Sequence, residues 1–243
     1  MLRIIIFLCL AFIVSAGSAE SGEWWEEVPS NEWSLDQTVD FLNNSPWISQ
    51  GVGYFRQKPL ASVNFQARLL TAKPVRDAFL RLNVLNTNVV SIKEISKPTS
   101  SEASREKMQV FTATYPDDLL VKGDEKHLII AISLKILVIG VYGYKSTQED
   151  FRSDELYEVD ASKLNDETRL RTNTGKWVAL EFFRPPGKDR AGSTYYFPRN
   201  FPDGTPLISL DDKELYFETF INKKQVVVKF DLNKMNYKGK REF

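Results

Sequence analysis

The chain contains one histidine, His127, and one cysteine, Cys9. Those two counts decide more chemistry than any motif does. A zinc site of the usual nitrogen and sulfur ligands needs several such side chains, and a cysteine nucleophile needs a histidine beside it. Cys9 lies in an N-terminal apolar run, so neither device can be assembled. A Ser–His–Asp triad would have to use His127, yet no serine stands in a G-x-S-x-G turn. His127 lies between Lys126 and an apolar run and reads as a capping residue at the start of a helix. Gly51 and Gly53 in "GVGYFR" imitate a dinucleotide-binding loop without its third glycine, and no Walker loop is present. Ser104 and Lys107 have S-x-x-K spacing in a polar stretch that lacks the rest of that machinery. No cofactor and no metal are therefore expected.

Paired carboxylates are the catalytic device that needs neither histidine nor cysteine. A glycosidase uses one carboxyl kept protonated by apolar surroundings and a second, ionised one nearby. Glu181, within the apolar "WVALEFF", is the most suggestive acid, and Glu218 or Asp211 could face it from a neighbouring strand. The plainer reading is that a strand with one solvated face carries polar residues somewhere. Binding chemistry is offered by "YYFPRNFPDG". Pro198 ends a strand at Phe197 by removing a ladder donor, and Phe201-Pro202-Asp203-Gly204 has proline and glycine where a type I turn wants them. Arg199 and Asn200, held between the two prolines with Tyr195 nearby, would form a polar tip that grips an anion or a partner's backbone. Pairing of Arg199 with Asp203 is the simpler alternative. Five tryptophans and nine tyrosines also admit carbohydrate stacking. Trp24, Trp25 and Trp33 are concentrated near the N-terminus, where they either meet a ligand or fold back onto the domain.

The N-terminal "MLRIIIFLCLAFIVSAGSA" places Arg3 before a short apolar run ending in small residues, the pattern of a secretory signal peptide. Cleavage after Ala19 would remove Arg3 and Cys9 and leave 224 residues with a formal charge of −1 and no disulfide. A chain of that size can be held by its own core, and its net charge gives no reason to expect nucleic acid. Charge is uneven along it. Glu149 to Arg169 holds eight acids and three bases, whereas Asn222 to Arg241 holds seven bases and one acid, Asp231. Either a docking surface or two solvated faces of opposite sign would give this.

The elements that must position these residues follow from periodicity and caps. Ser34 and Gln37 are spaced as a capping box, with Leu35, Thr38, Val39 and Leu42 on one stripe. That helix stops at "NNSPW", where Asn43 and Asn44 tolerate a left-handed turn, Pro46 cannot continue and Trp47 packs down as an anchor. Val63, Phe65, Ala67 and Leu69 alternate with Asn64, Gln66 and Arg68, which predicts a half-buried strand. Pro74 opens a second helix with Val75, Phe79, Leu82 and Leu85 inward and Arg76 and Arg81 outside. "KPTSSEASREK", residues 97–107, reads as a mobile linker and "MQVFTATY" as a strand. "HLIIAISLKILVIGVYGY" is too short for a membrane span and is broken by Lys135, Gly140 and Gly143. A buried helix from about Glu125 to Leu134, turning into a strand from Ile136, is expected there. The strands "KWVALEFF", "STYYF", "KELYFETFI" and "QVVVKFDL" suggest an antiparallel meander. Pairing the last two through "NKKQ" sets Ile221 opposite Val226 and Glu218 beside Lys229. Leu215, Phe217 and Thr219 then share a face with Val226, Val228, Phe230 and Leu232.

A helix ending in "SPW", the "KPVRDAFLRL" helix, "YYFPR", "PLISLDDKELYF", "VVVKFDL" and the terminal "MNYKGKREF" together resemble a family of uncharacterised exported proteins of acidobacteria. The resemblance covers most of the chain after the signal, although "KREF" departs from the family's more aliphatic ending. It implies an extracytoplasmic location and supplies no activity, cofactor or site residue. The expected fold class is α+β, with helices mainly in the first half and antiparallel sheet dominating the second. The expected organisation is a signal peptide (1–19), a Trp-bearing leader (20–33) and one domain (34–243). The leading functional expectation is an exported, periplasmic or secreted, non-enzymatic binding or structural protein with a protein or polysaccharide partner. The alternative is a carboxylate-dependent hydrolase of glycans.

Overall fold

A computed structural model describes residues 23–54, 62–95, 109–111, 115–133, 137–139, 164, 167–185, 193–221 and 224–243. The signal segment with Cys9, the linker 97–107 with Ser104 and Lys107, Gly140, Gly143 and the acidic stretch 149–163 lie outside these residues. The first half contributes α1 (Trp24–Glu27), α2 (Leu35–Asn44), β1 (Ile48–Tyr54), β2 (Ser62–Leu69), α3 (Lys73–Ile95), β3 (Gln109–Phe111) and α4 (Asp117–Lys122). Then come β4 (His127–Ser133), β5 (Leu137–Ile139), β6 (Arg169–Thr172), β7 (Trp177–Ala179), β8 (Phe182–Arg184) and β9 (Ser193–Pro198). The chain closes with β10 (Glu214–Ile221), β11 (Lys224–Asp231), β12 (Asn236–Tyr237) and β13 (Lys240–Arg241). These four α-helices precede β4, Leu164 and Glu167 being the helical residues described after it, and the protein is α+β as its sequence predicts.

Two larger sheets carry the fold, a five-stranded one in the order β1-β2-β4-β9-β8 and a four-stranded one in the order β11-β10-β6-β7. All of their pairings are antiparallel. The sheets stack face to face, with the Tyr195 and Phe197 rings on the Phe217 ring at 5.0 and 6.0 Å. They also meet at both margins. Ser49 Oγ on β1 donates to Lys229 O on β11 at 2.8 Å, and the chain crosses from one sheet to the other between β7 and β8. "KWVALEFF" is thus two short strands, not one. Leu180 N bonds Thr168 O on one side and Glu181 N bonds Tyr196 O on the other.

Helix α2 covers the outer face of the five-stranded sheet, where Arg68 Nε donates to Leu42 O at 2.8 Å and Gln66 Nε2 to Asn43 O at 2.9 Å. The expected half-buried strand is consequently buried on its polar side too, with Arg68 wholly enclosed. Its guanidinium also reaches Asn43 and Gln66, and burial lowers its pKa to about 10. Strand β4 occupies the place expected of a buried helix. It pairs with β2 and β9 on its two edges, and Leu128 to Ile132 are all buried. A strand covered on both faces loses the polar alternation that distinguishes it from a buried helix.

Capping of α2 follows the sequence: Ser34 Oγ accepts from Gln37 N and Gln37 Oε1 from Ser34 N. Its end does not turn left-handed, since Ser45 caps it in extended conformation and Lys238 is the one positive-φ non-glycine among the described residues. Trp47 is buried as expected, and its Nε1 donates to Glu242 O at 2.6 Å. Strands β10 and β11 pair with Leu215 opposite Phe230, Phe217 opposite Val228 and Thr219 opposite Val226. The apolar face is the expected one, but the register is shifted by two residues. Ile221 faces Lys224 across a two-residue connection, and Glu218 faces Val227 instead of Lys229. A shift of two preserves faces because side chains alternate with period two. Among the described residues no helix is long and apolar enough to cross a membrane.

Candidate functional site

"DDLLVKGDEKH" builds the most chemically populated part of the surface. Asp117 and Asp118 occupy the first turn of α4 and Lys122 the last, each at the helix end its charge favours. Gly123 ends the helix at φ +75°, and a Cβ there would stand 2.9 Å from Arg76 Cζ. The positive φ favours glycine, and any side chain there would also have to displace the Arg76 guanidinium. Arg76, expected outside, is half-buried above it and donates to Thr71 O and Leu120 O. Asp124 then folds the chain: its Oδ1 accepts from Lys126 N at 2.8 Å and His127 N at 2.9 Å. This aspartate-centred turn, not a helix start, sets His127 as the first residue of β4.

His127 lies between two carboxylates. Nδ1 is 2.9 Å from Asp124 Oδ2 and Nε2 is 3.5 Å from Glu181 Oε2. Glu181 reaches it from the crossing between sheets, with its side chain 56% exposed against 22% for His127. Burial alone would raise the pKa of Asp124, but hydrogen bonds from the His127 ring and from the amides of His127 and Lys126 outweigh it and hold the carboxyl below its usual range. An imidazolium donates to both carboxylates at once, whereas the neutral ring can donate to one. Beside this pair the Tyr196 ring meets the His127 ring edge-on at 5.8 Å and the Phe182 ring at 5.3 Å. Phe182, on the edge strand β8, is 56% exposed. Among the described residues, the outer face of the five-stranded sheet thus ends in a partly exposed strip with an apolar ring at one side and a charged rim at the other.

The other candidate residues are placed differently. Glu218 is 7% exposed and is clamped by Arg169 Nε and by Arg171 at 2.9 Å. Burial opposes ionisation there, yet the two guanidinium groups keep the carboxyl below its usual range. It cannot serve as a protonated acid, and strand β6 lies between it and the β7–β8 crossing that carries Glu181. Asp211 is exposed beside Asp212, which is the buried one. Asp212 accepts from Thr174 Oγ1, Lys176 Nζ, Ser209 N and Ser209 Oγ at 2.6–2.7 Å. Tyr195 is in the core against Phe183 and Phe217, and burial pushes its hydroxyl up to about 12, so it offers nothing to a partner. Arg199 is neither a free tip nor paired with Asp203. Its Nε donates to His127 O at 2.9 Å and Asp124 O at 3.2 Å, and its Nη1 to Phe243 O at 2.8 Å. Asp203 instead accepts from Thr205, and the Phe201–Gly204 turn closes as expected with Gly204 N on Phe201 O at 2.9 Å. Asn200 alone of the three binding candidates is exposed.

Trp25 and Trp33 are buried and Trp24 packs against them, so the leader folds back onto the domain. Among the described residues no group of three or more His, Cys, Asp and Glu side chains could hold a metal ion. Comparison with family models, with curated proteins and with solved structures found no match. Sequence reasoning singled out Glu181 and His127 but not their meeting, and it missed Asp124, Tyr196 and Phe182. The Gly-Asp pair preceding two amides at positions 126 and 127 was the local signal for the turn.

Proposed function

We propose that the protein is exported and acts outside the cytoplasm as a non-enzymatic binding protein of the envelope or secreted fraction. It engages its partner through the strip formed by Phe182, Tyr196, His127 and Glu181. The observation that carries this reading is the exposed Phe182 ring on an edge strand, packed edge-on to Tyr196 and bordered by the His127–Glu181 pair. An exposed large ring flanked by oriented polar groups is the composition of a recognition surface. Export is supported by the N-terminal apolar run with its small-residue boundary. A hydrolase of glycans has less support, because Glu218 is committed to two arginines and both ring nitrogens of His127 face carboxylates.

Two measurements test the reading. Fractionation with N-terminal sequencing should recover a processed chain outside the cytoplasm, and a full-length cytoplasmic chain would overturn export. Immobilised protein should retain a specific component of envelope extracts that Phe182→Ala loses at least tenfold and Leu210→Ala, another exposed apolar position, does not. Equal retention by both variants would remove the strip from the binding surface.

A further inference from the structure

The outward face of the four-stranded sheet carries a second arrangement that the strip does not use. Its register places Trp177, Arg171, Tyr216 and Lys229 in one row across β7, β6, β10 and β11. The adjacent row is Ala179, Arg169, Glu218 and Val227. Each row crosses three strand spacings, about 14 Å. Directly opposed residues share a face, and the inward set of Leu170, Val178, Leu215, Phe217, Val226 and Val228 is buried, so these two rows look outward.

Trp177 is 54% exposed at the margin of this face, although tryptophan is a costly residue to leave in water. Ala179, two residues on in the same strand, leaves a low step beside it. Next in the row, the Arg171 guanidinium lies 4.4 Å over the Tyr216 ring and is fixed by Glu218. Arg169 engages Glu218 through Nε, and its terminal nitrogens carry no bond among the described residues. Two guanidinium groups share one carboxylate, which leaves a surplus cation within the Arg169–Arg171–Glu218 cluster. At the β10–β11 margin Lys229 pairs with Glu214 at 3.1 Å and Asp231 stands opposite Glu214, so the positive charge is confined to that cluster. An exposed ring beside rigid planar donors and a surplus cation matches a chain of sugar rings that bears carboxylates. The ring stacks on a sugar face and spare guanidinium N–H groups meet the uronate.

We infer that the outward face of β7-β6-β10-β11 binds an acidic polysaccharide, with Trp177 as the stacking platform and Arg169 as the carboxylate-binding group. The inference extends the binding reading to a second surface and stands on residues outside the Phe182 strip. Affinity electrophoresis in gels containing polygalacturonate tests it, with methylcellulose gels as the neutral control and bovine serum albumin as mobility standard. Wild-type protein should be retarded by polygalacturonate more than by methylcellulose. Trp177→Ala and Arg169→Gln should each weaken retardation at least tenfold, while Leu210→Ala, at an exposed apolar position outside both surfaces, should leave it unchanged. Circular dichroism and an unaltered melting curve would show that the variants remain folded. Absence of retardation, equal retardation of Trp177→Ala and wild type, or preference for methylcellulose would overturn the inference. Loss in Phe182→Ala alone would overturn this face as the site and return the binding to the strip.

Discussion

The tryptophans near the N-terminus and Trp177 place the same side chain in opposite situations. Trp24, Trp25, Trp33, Phe41 and Trp47 form a continuous chain of ring contacts with centroids 4.9–5.7 Å apart. Trp33 and Trp47 are wholly enclosed there, and their indole N–H groups donate to Val28 O and Glu242 O. Trp177 has half its surface in solvent and a guanidinium-bearing neighbour in the next strand. Aromatic content alone does not distinguish a packing device from a recognition device. What distinguishes them is whether the polar end of the ring is spent inside the fold.

The contrast breaks most visibly in stability. Trp33→Ala or Trp47→Ala should destabilise by about 3–5 kcal/mol through cavity formation and a lost hydrogen bond, whereas Trp177→Ala should stay within about 0.5 kcal/mol. Urea unfolding of the three variants measures this, and a comparable loss at Trp177 would mean that the outward face is structural.

The buried polar groups sharpen it next. Arg68→Met removes the donor to Leu42 O and strips partners from Asn43 and Gln66 beneath α2, which should cost about 3 kcal/mol. Asp212→Asn should cost about 2 kcal/mol, because one carboxamide oxygen cannot accept from Thr174, Lys176 and Ser209 together. Both are read from the same unfolding midpoints.

A smaller effect is expected from acid. Asp124 and Asp212 have folded pKa values below their unfolded ones, so their stabilisation is present above the unfolded value of about 4 and is lost as pH falls through it toward the lower folded values. Thermal melts between pH 6 and pH 3 should show a falling midpoint, with a shallower fall in Asp212→Asn. An equal slope in that variant would contradict the assignment.

The sequence was legible where the local signal and the tertiary outcome coincide. The capping box of Ser34 and Gln37, the α3 helix and the apolar faces of β10 and β11 rest on spacing alone, and each appears in the fold. Strand β4 was misread because burial on both faces erased its period. "WVALEFF" was misread because nothing local announces that consecutive amides, those of Leu180 and Glu181, bond to different sheets. The candidate site shares that property. Asp124 reaches His127 through its own turn three residues away, but Glu181 is 54 positions from His127, and only the pairing of β4 with β9 and β9 with β8 brings it there. Arg199 reads as a constrained cation, but its acceptors are three backbone carbonyls from two distant segments, the Asp124–His127 turn and the C-terminus, which no side-chain pattern encodes.

The most direct test of a recognition role for the exposed tryptophan is acrylamide quenching of indole fluorescence with and without polygalacturonate. Wild-type protein should contain a readily quenched component that the polysaccharide protects, and Trp177→Phe should lose both the component and its protection. Protection that persists in Trp177→Phe, or a quenched component that the polysaccharide leaves untouched in wild type, would contradict it.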